Sequence, residues 1–252
     1  MTLPSDDLGH PVDLVRPARR VVSLVPSLTE AVAATQPEAL VGATDWCTHP
    51  AGLEVTRVRG TKNPDRSAIT ALAPDLVLAN REENRELDVD RLRAAGIAVW
   101  VTVIETVDEA FASMERMFVD ALGWDSPSWL DEARAVWAEP APESGRRVAI
   151  PIWRDPWMVV GGRTFTGDLV ARLGLVNAFD GGTERYPRVD LADIDSLDVD
   201  LVLLPDEPYV FTADDGPEAF EHTPTRLVSG RSLTWYGPSM LTARAELEST
   251  LD

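Results

Sequence analysis

At 252 residues, 44% of them hydrophobic and 26% charged, the chain can bury a sizeable core and has the composition of an ordinary soluble globular protein. Its 42 acidic against 23 basic residues give a net charge of −19, a field that repels nucleic-acid phosphates and anionic lipid headgroups and excludes both as partners. The single cysteine, Cys47, excludes an internal disulfide and any zinc site built from several cysteines.

In chain order, the opening stretch MTLPSDDLGHPVDLVRPARR carries acids and prolines where a signal peptide needs a basic start and an apolar run, and it holds no lipid-attachment cysteine. The longest apolar run, Gly96 to Ile104, is about half of a membrane span. The expected location is therefore the cytoplasm, or outside it if the start is truncated.

VVSLV from Val21 reads as a buried strand feeding a helix over Ser27 to Ala34, with Pro26 and Ser27 suited to its first turn. LVGAT from Leu40, DLVLA from Asp75 and GIAVWVTVI from Gly96 are further strands, with a helix over Leu87 to Ala95. Short apolar runs bounded by Gly, Pro and Asp suit strands covered on both faces, and strand–helix alternation argues for a mostly parallel sheet. From Val107 to about Glu139 the apolar residues fall at helical spacing, as one long helix or two joined near Gly123 to Pro127. The strand–helix order then resumes with RVAIPIW, WMVVGG, a helix from Thr166 to Leu173, DLVLLP and a last helix after Pro238. The frame I-x-x-L-x-x-D-L-V-L occurs from Ile69 and again from Ile194, which suggests two similar lobes. The expected fold is α/β: an N-terminal lobe at 1–106, a helical connector at 107–145 and a C-terminal lobe at 146–252.

RVVSLVPSLTEAV, VGATDW, ITALAPDLVLA and LRAAGIAVWVT, followed by FTGDLVARLGLVNAF, ERYPRVDLADIDSLDVDLVLL and WYGPS, resemble the class III substrate-binding proteins, the helical-backbone receptors of ABC importers. The order and spacing of these pieces, from about Arg20 to Leu247, carry the resemblance, and the cobalamin-binding branch is the nearest. It implies two Rossmann-like lobes with mostly parallel sheets, a long connecting helix, and a ligand cleft between the lobes. It also implies a non-enzymatic role, no intrinsic cofactor, and cobalamin, haem or a ferric siderophore as the bound ligand. An ABC permease is the implied partner. The glutamates that usually dock on it align with Ser67 and Ala192, with Asp193 next door as a substitute.

Trp46, Trp153, Trp157 and Trp235 fall just past expected strand ends, and Tyr236 follows the last. Trp46 and Tyr186 align with cleft aromatics of the cobalamin branch, whereas Thr61 and Asn80 stand where that branch has aromatics. Each aromatic can cover roughly 150–250 Å² of a flat ligand, although any one of them can equally be core. Lys62, Asn80, Arg154 and Glu207 come from loops after strands and are the polar candidates, against a reading as solvated turn residues. Cys47 with His49 is a weak metal pair, because a tetrahedral site needs further donors. No G-x-S-x-G elbow, Walker A loop or G-x-G-x-x-G occurs. The enzyme alternative is a chelatase-like or tetrapyrrole-handling protein using His49 with Glu82 or Glu207. A ligand sensor or storage protein uncoupled from transport is the other alternative.

Overall fold

The computed structural model describes residues 3–196 and 198–251, so Leu197 of the second repeat frame lies outside the described residues. The chain divides into two compact units. The first comprises Met1–Val103, Glu109–Asp131 and Tyr236–Pro238; the second comprises Ile104–Asp108, Glu132–Trp235 and Ser239–Asp252.

The first unit contains β1 (Val21–Ser23), α1 (Pro26–Thr35), β2 (Leu40–Ala43), β3 (Thr56–Arg57), β4 (Arg59–Gly60) and β5 (Asn63–Pro64). After these come α2 (Arg66–Ala71), β6 (Leu76–Asn80), α3 (Glu86–Ala94) and β7 (Val99–Thr102). Five strands form a parallel sheet in the order β3-β2-β1-β6-β7, while β4 and β5 make a small antiparallel hairpin. All of β6 is buried, as its unbroken apolar run requires of a central parallel strand. Val22, Leu24, Ile69, Val77, Leu92 and Val101 form the core around it.

The segment expected as a connector is two helices. α4 (Val107–Arg116) runs on as a π-helical stretch over Met117–Leu122, and α5 (Ser128–Val136) follows. The break falls at Gly123, whose φ of 68° ends the first helix in the left-handed conformation that glycine adopts without strain. No helix among the described residues is long and apolar enough to cross a membrane.

The second unit contains β8 (Arg147–Ala149), β9 (Pro151–Trp153), β10 (Met158–Val159), α6 (Phe165–Arg172), β11 (Val176–Asn177) and α7 (Leu191–Ile194). β12 (Leu201–Pro205), β13 (Thr225–Val228), α8 (Gly230–Thr234) and α9 (Met240–Leu251) complete it. Its parallel sheet runs β11-β8-β12-β13, with β9 and β10 as a separate antiparallel hairpin. Caps fix the helix starts: Asp65 accepts from the Ala68 N–H, Thr164 from Gly167 and Ser229 from Ser232.

The repeated sequence frame performs the same task in both units. The Asp75 carboxylate accepts the Arg19 and Arg20 N–H groups at 2.8 and 2.9 Å, and the Asp75 N–H donates to the Arg20 carbonyl at 2.8 Å. The Asp200 carboxylate accepts the Arg147 N–H at 2.7 Å, and the Asp200 N–H returns to the Arg147 carbonyl at 2.8 Å. Each arginine also donates to carbonyls just upstream of its aspartate, Arg20 to Leu72 and Ala73 and Arg147 to Asp198.

An N-terminal arm lies along β7, the edge strand of the first sheet. The Asp7 N–H donates to the Val101 carbonyl at 3.1 Å, and the Val103 N–H donates to the Asp7 carboxylate at 3.0 Å. Asp6 is buried and pairs with Arg93 at 2.6 Å while accepting the Leu8 and His10 N–H groups. Removing one partner of a buried pair strands the other charge. Asp6→Ala should therefore lower unfolding stability by about 3 kcal/mol, read as a lower urea midpoint with an unchanged slope.

Candidate functional site

In the first unit the candidate residues gather beyond the carboxyl ends of β2, β6 and β7. The Thr44–Pro50 loop after β2 is held from beneath. Cys47 is buried and meets the Thr29 and Thr44 hydroxyls at 3.0 and 3.1 Å, and Arg57 donates to the Thr44 and Cys47 carbonyls, each at 2.9 Å. A loop anchored at Cys47 turns its neighbour outward, and Trp46 is 68% exposed. Burial pushes the Cys47 thiol up, with the two threonine bonds opposing, so a neutral thiol plugs the loop. Among the described residues no group of three or more His, Cys, Asp or Glu is arranged to hold a metal ion.

Asn80, at the end of β6, is buried and turned inward. It donates to the Thr102 hydroxyl at 3.0 Å and accepts the Glu82 N–H at 2.8 Å, while Asn84 accepts the Asn80 N–H at 2.9 Å. These bonds shape the loop that carries Glu82 and Glu83. Exposed Lys62 donates to the Glu82 carbonyl. Burial pushes the Glu83 carboxyl up, with Lys62 pulling it back. Tyr236 is buried at 7% exposure, its hydroxyl on Ser27 and Thr102; burial first, then the Glu83 charge, raise its pKa.

In the second unit Trp153, Arg154 and Trp157 share the β9–β10 hairpin. Trp153 is 46% exposed and stands edge-on to Tyr209, centroids 5.7 Å apart at 79°. Trp157 is 8% exposed: it stacks on Phe211 at 6.0 Å and 7° and joins Val202 and Leu204 in the core. Arg154 pairs with Asp215 and Glu218, and its guanidinium lies 5.6 Å from the Trp157 ring. The Glu218 bond raises the Arg154 pKa, and the same bond lowers that of Glu218.

Trp235 is buried at 6% exposure, with Arg231 5.9 Å from its ring. Glu207 follows β12 against Gly230, where an added Cβ would fall 2.3 Å from the Glu207 Cγ. Tyr186 is half-buried beside Arg185, which pairs with Glu105 at 2.6 Å. Of the six aromatic candidates, Trp46 and Trp153 are thus the exposed indoles. Asp215, Glu218 and Tyr209 carry no sequence signal that joins them to Arg154, since they lie 55 or more positions further on.

Two parallel α/β units with a repeated strand–helix frame make the fold of the helical-backbone substrate-binding proteins, as the resemblance implied. No family model matches the chain. The vitamin B12-binding protein of Vibrio cholerae is 24% identical over 188 residues, 71% of this chain and 67% of its own length. That of Pectobacterium atrosepticum is 26% identical over 186 residues, covering 68% of this chain and 66% of that one. The solved periplasmic vitamin B12-binding protein BtuF of Vibrio cholerae superposes with a TM-score of 0.73 at 19% identity, covering 93% of this chain and 97% of its own. The periplasmic haem-binding protein BhuT, in complex with two haems, gives 0.72 at 22% identity over 92% and 97%. These matches correct the expectation of a cytoplasmic location. The solved neighbours it superposes on are periplasmic binding proteins, which speaks against that expectation.

The plugged loop has a chemical readout. An unperturbed thiol is about half ionised near pH 8.5. Cys47 should instead resist an aromatic disulfide reagent at that pH until denaturant is added, and rapid reaction of the native protein would show the loop to be open.

Proposed function

We propose that the chain is a non-enzymatic, extracytoplasmic receptor that captures a large flat metal chelate, cobalamin first and haem or a ferric siderophore next, for an ABC importer. The observation that carries this is a pair of exposed indoles, Trp46 on one unit and Trp153 on the other, each on a backbone tied down by internal bonds. At roughly 200 Å² per ring, exposures of 68% and 46% leave on the order of 100 Å² of each ring for a ligand. Covering either one is worth about 2–3 kcal/mol at ~25 cal/mol per Å² before binding costs, enough to help hold a chelate and too little to hold it alone. Polar side chains on each unit supply the remaining contacts: Lys62 on the first and Glu207 on the second are the ones nominated from sequence. Cobalamin stands first because the curated relatives are named for it, and the binding role agrees with relatives named as binding proteins.

Trp46→Ala and Trp153→Ala should each weaken binding about tenfold, measured by quenching of tryptophan fluorescence on titration with cyanocobalamin, haemin and a ferric siderophore. Saturation of both variants at wild-type concentrations would remove these rings from the site.

Ser67 on α2 and Ala192 on α7 are exposed and offer no carboxylate where the family docks, although exposed Asp193 adjoins the second position. Coupling to a permease is accordingly weak. In nanodiscs, a cobalamin-type permease should fail to retain the wild-type chain and should retain the Ser67→Glu, Ala192→Glu variant. Stable retention of the wild type would refute the docking assignment.

A further inference from the structure

Trp153 belongs to a closed circuit of four residues in the second unit. Its ring meets the Tyr209 ring edge-on, and the Tyr209 hydroxyl donates to one Asp215 oxygen at 2.7 Å. The other Asp215 oxygen accepts from Arg154, which the peptide bond joins to Trp153. Each link is braced from outside. Phe211 packs on Tyr209 at 4.7 Å, and the Thr212 and Asp215 backbones are paired through the Asp215 carbonyl at 2.9 Å. Glu218 takes a second Arg154 bond and itself accepts the Gly216 N–H.

An indole at a strand end can hop among its rotamers unless a neighbour blocks it, and an exposed ring has few neighbours. Here the block is a tyrosine whose own ring is fixed at its far end by a charge-assisted hydrogen bond. The arginine that charges the circuit is matched by two carboxylates, so its cation is not offered to solvent.

From this geometry we propose that Tyr209 is a positioning residue: through Asp215 and Arg154 it locks the Trp153 ring in one orientation before ligand arrives. This assigns Arg154, nominated from sequence as a ligand contact, to the clamp. The proposal rests on the reading of Trp153 as a ligand platform. A platform held rigid in the free protein loses little freedom on binding, which slows ligand release.

The test uses the whole chain labelled with 5-fluorotryptophan, the Trp153 fluorine resonance being assigned with Trp153→Phe. Tyr209→Phe keeps the ring and removes the hydroxyl. Without ligand, it should broaden or split the Trp153 resonance while Trp46 and Trp100 keep theirs. Asp215→Ala should reproduce the change, and the double variant should add little to it. With cyanocobalamin, Tyr209→Phe should speed release roughly fivefold, the equivalent of one hydrogen bond of about 1 kcal/mol, with the association rate unchanged. A Trp153 resonance unaltered in Tyr209→Phe would overturn the proposal, as would an altered resonance with unchanged release. Failure of the ligand reading is separately visible: Trp153→Ala would then bind all three chelates like the wild type, while the ligand-free fluorine spectra would still report the clamp.

Discussion

The carboxylates of Asp75 and Asp200 each accept backbone N–H groups from the strand that runs alongside, and each returns its own N–H to the same place. That exchange sets where a helix stops and where the central strand of the sheet begins. In a parallel sheet the start of a strand also decides where its far end comes out. Once β6 and β12 are in register, the loops bearing Glu82–Glu83 and Glu207 emerge at the carboxyl edges, where ligands of open α/β sheets collect. Three short-range ionic hydrogen bonds, made by two aspartates, therefore position chemistry a full strand length away.

This arrangement is legible in the amino-acid sequence to a useful degree. Unbroken apolar runs marked β1, β2, β6, β7 and β12, and the repeated frame marked the two aspartates. β13 was not legible. Its TRLV is an edge strand with only Val228 buried, so it gives no apolar run to read. β3, β4, β5 and β11, at two residues each, are too short to carry a period. The break at Gly123 was one of two open forms, since helical spacing continues on both sides of it.

The site was legible by residue type and not by exposure. A tryptophan after a strand can turn out or in, and only tertiary contacts decide which. Trp46 and Trp153 turn out, whereas Trp157 meets Phe211 and Phe220 and turns in. Arg154 looked like a free cation because its partners lie some sixty positions further on, joined to it only by the fold. In this strongly acidic chain the arginines are widely committed in this way. Arg20, Arg57, Arg147 and Arg244 all cap backbone carbonyls, so positive charge serves here as internal stitching more than as surface field.

Against that background Lys62 has a consequence of its own. It is the chain's one lysine, it is exposed, and it follows by two positions the Gly60 that abuts the Trp46 indole. A reagent selective for side-chain amines would thus place a single dye beside that ring without any engineered residue. The protein carries a built-in attachment point for energy-transfer spectroscopy, and for oriented immobilisation, at the loop edge of its first sheet.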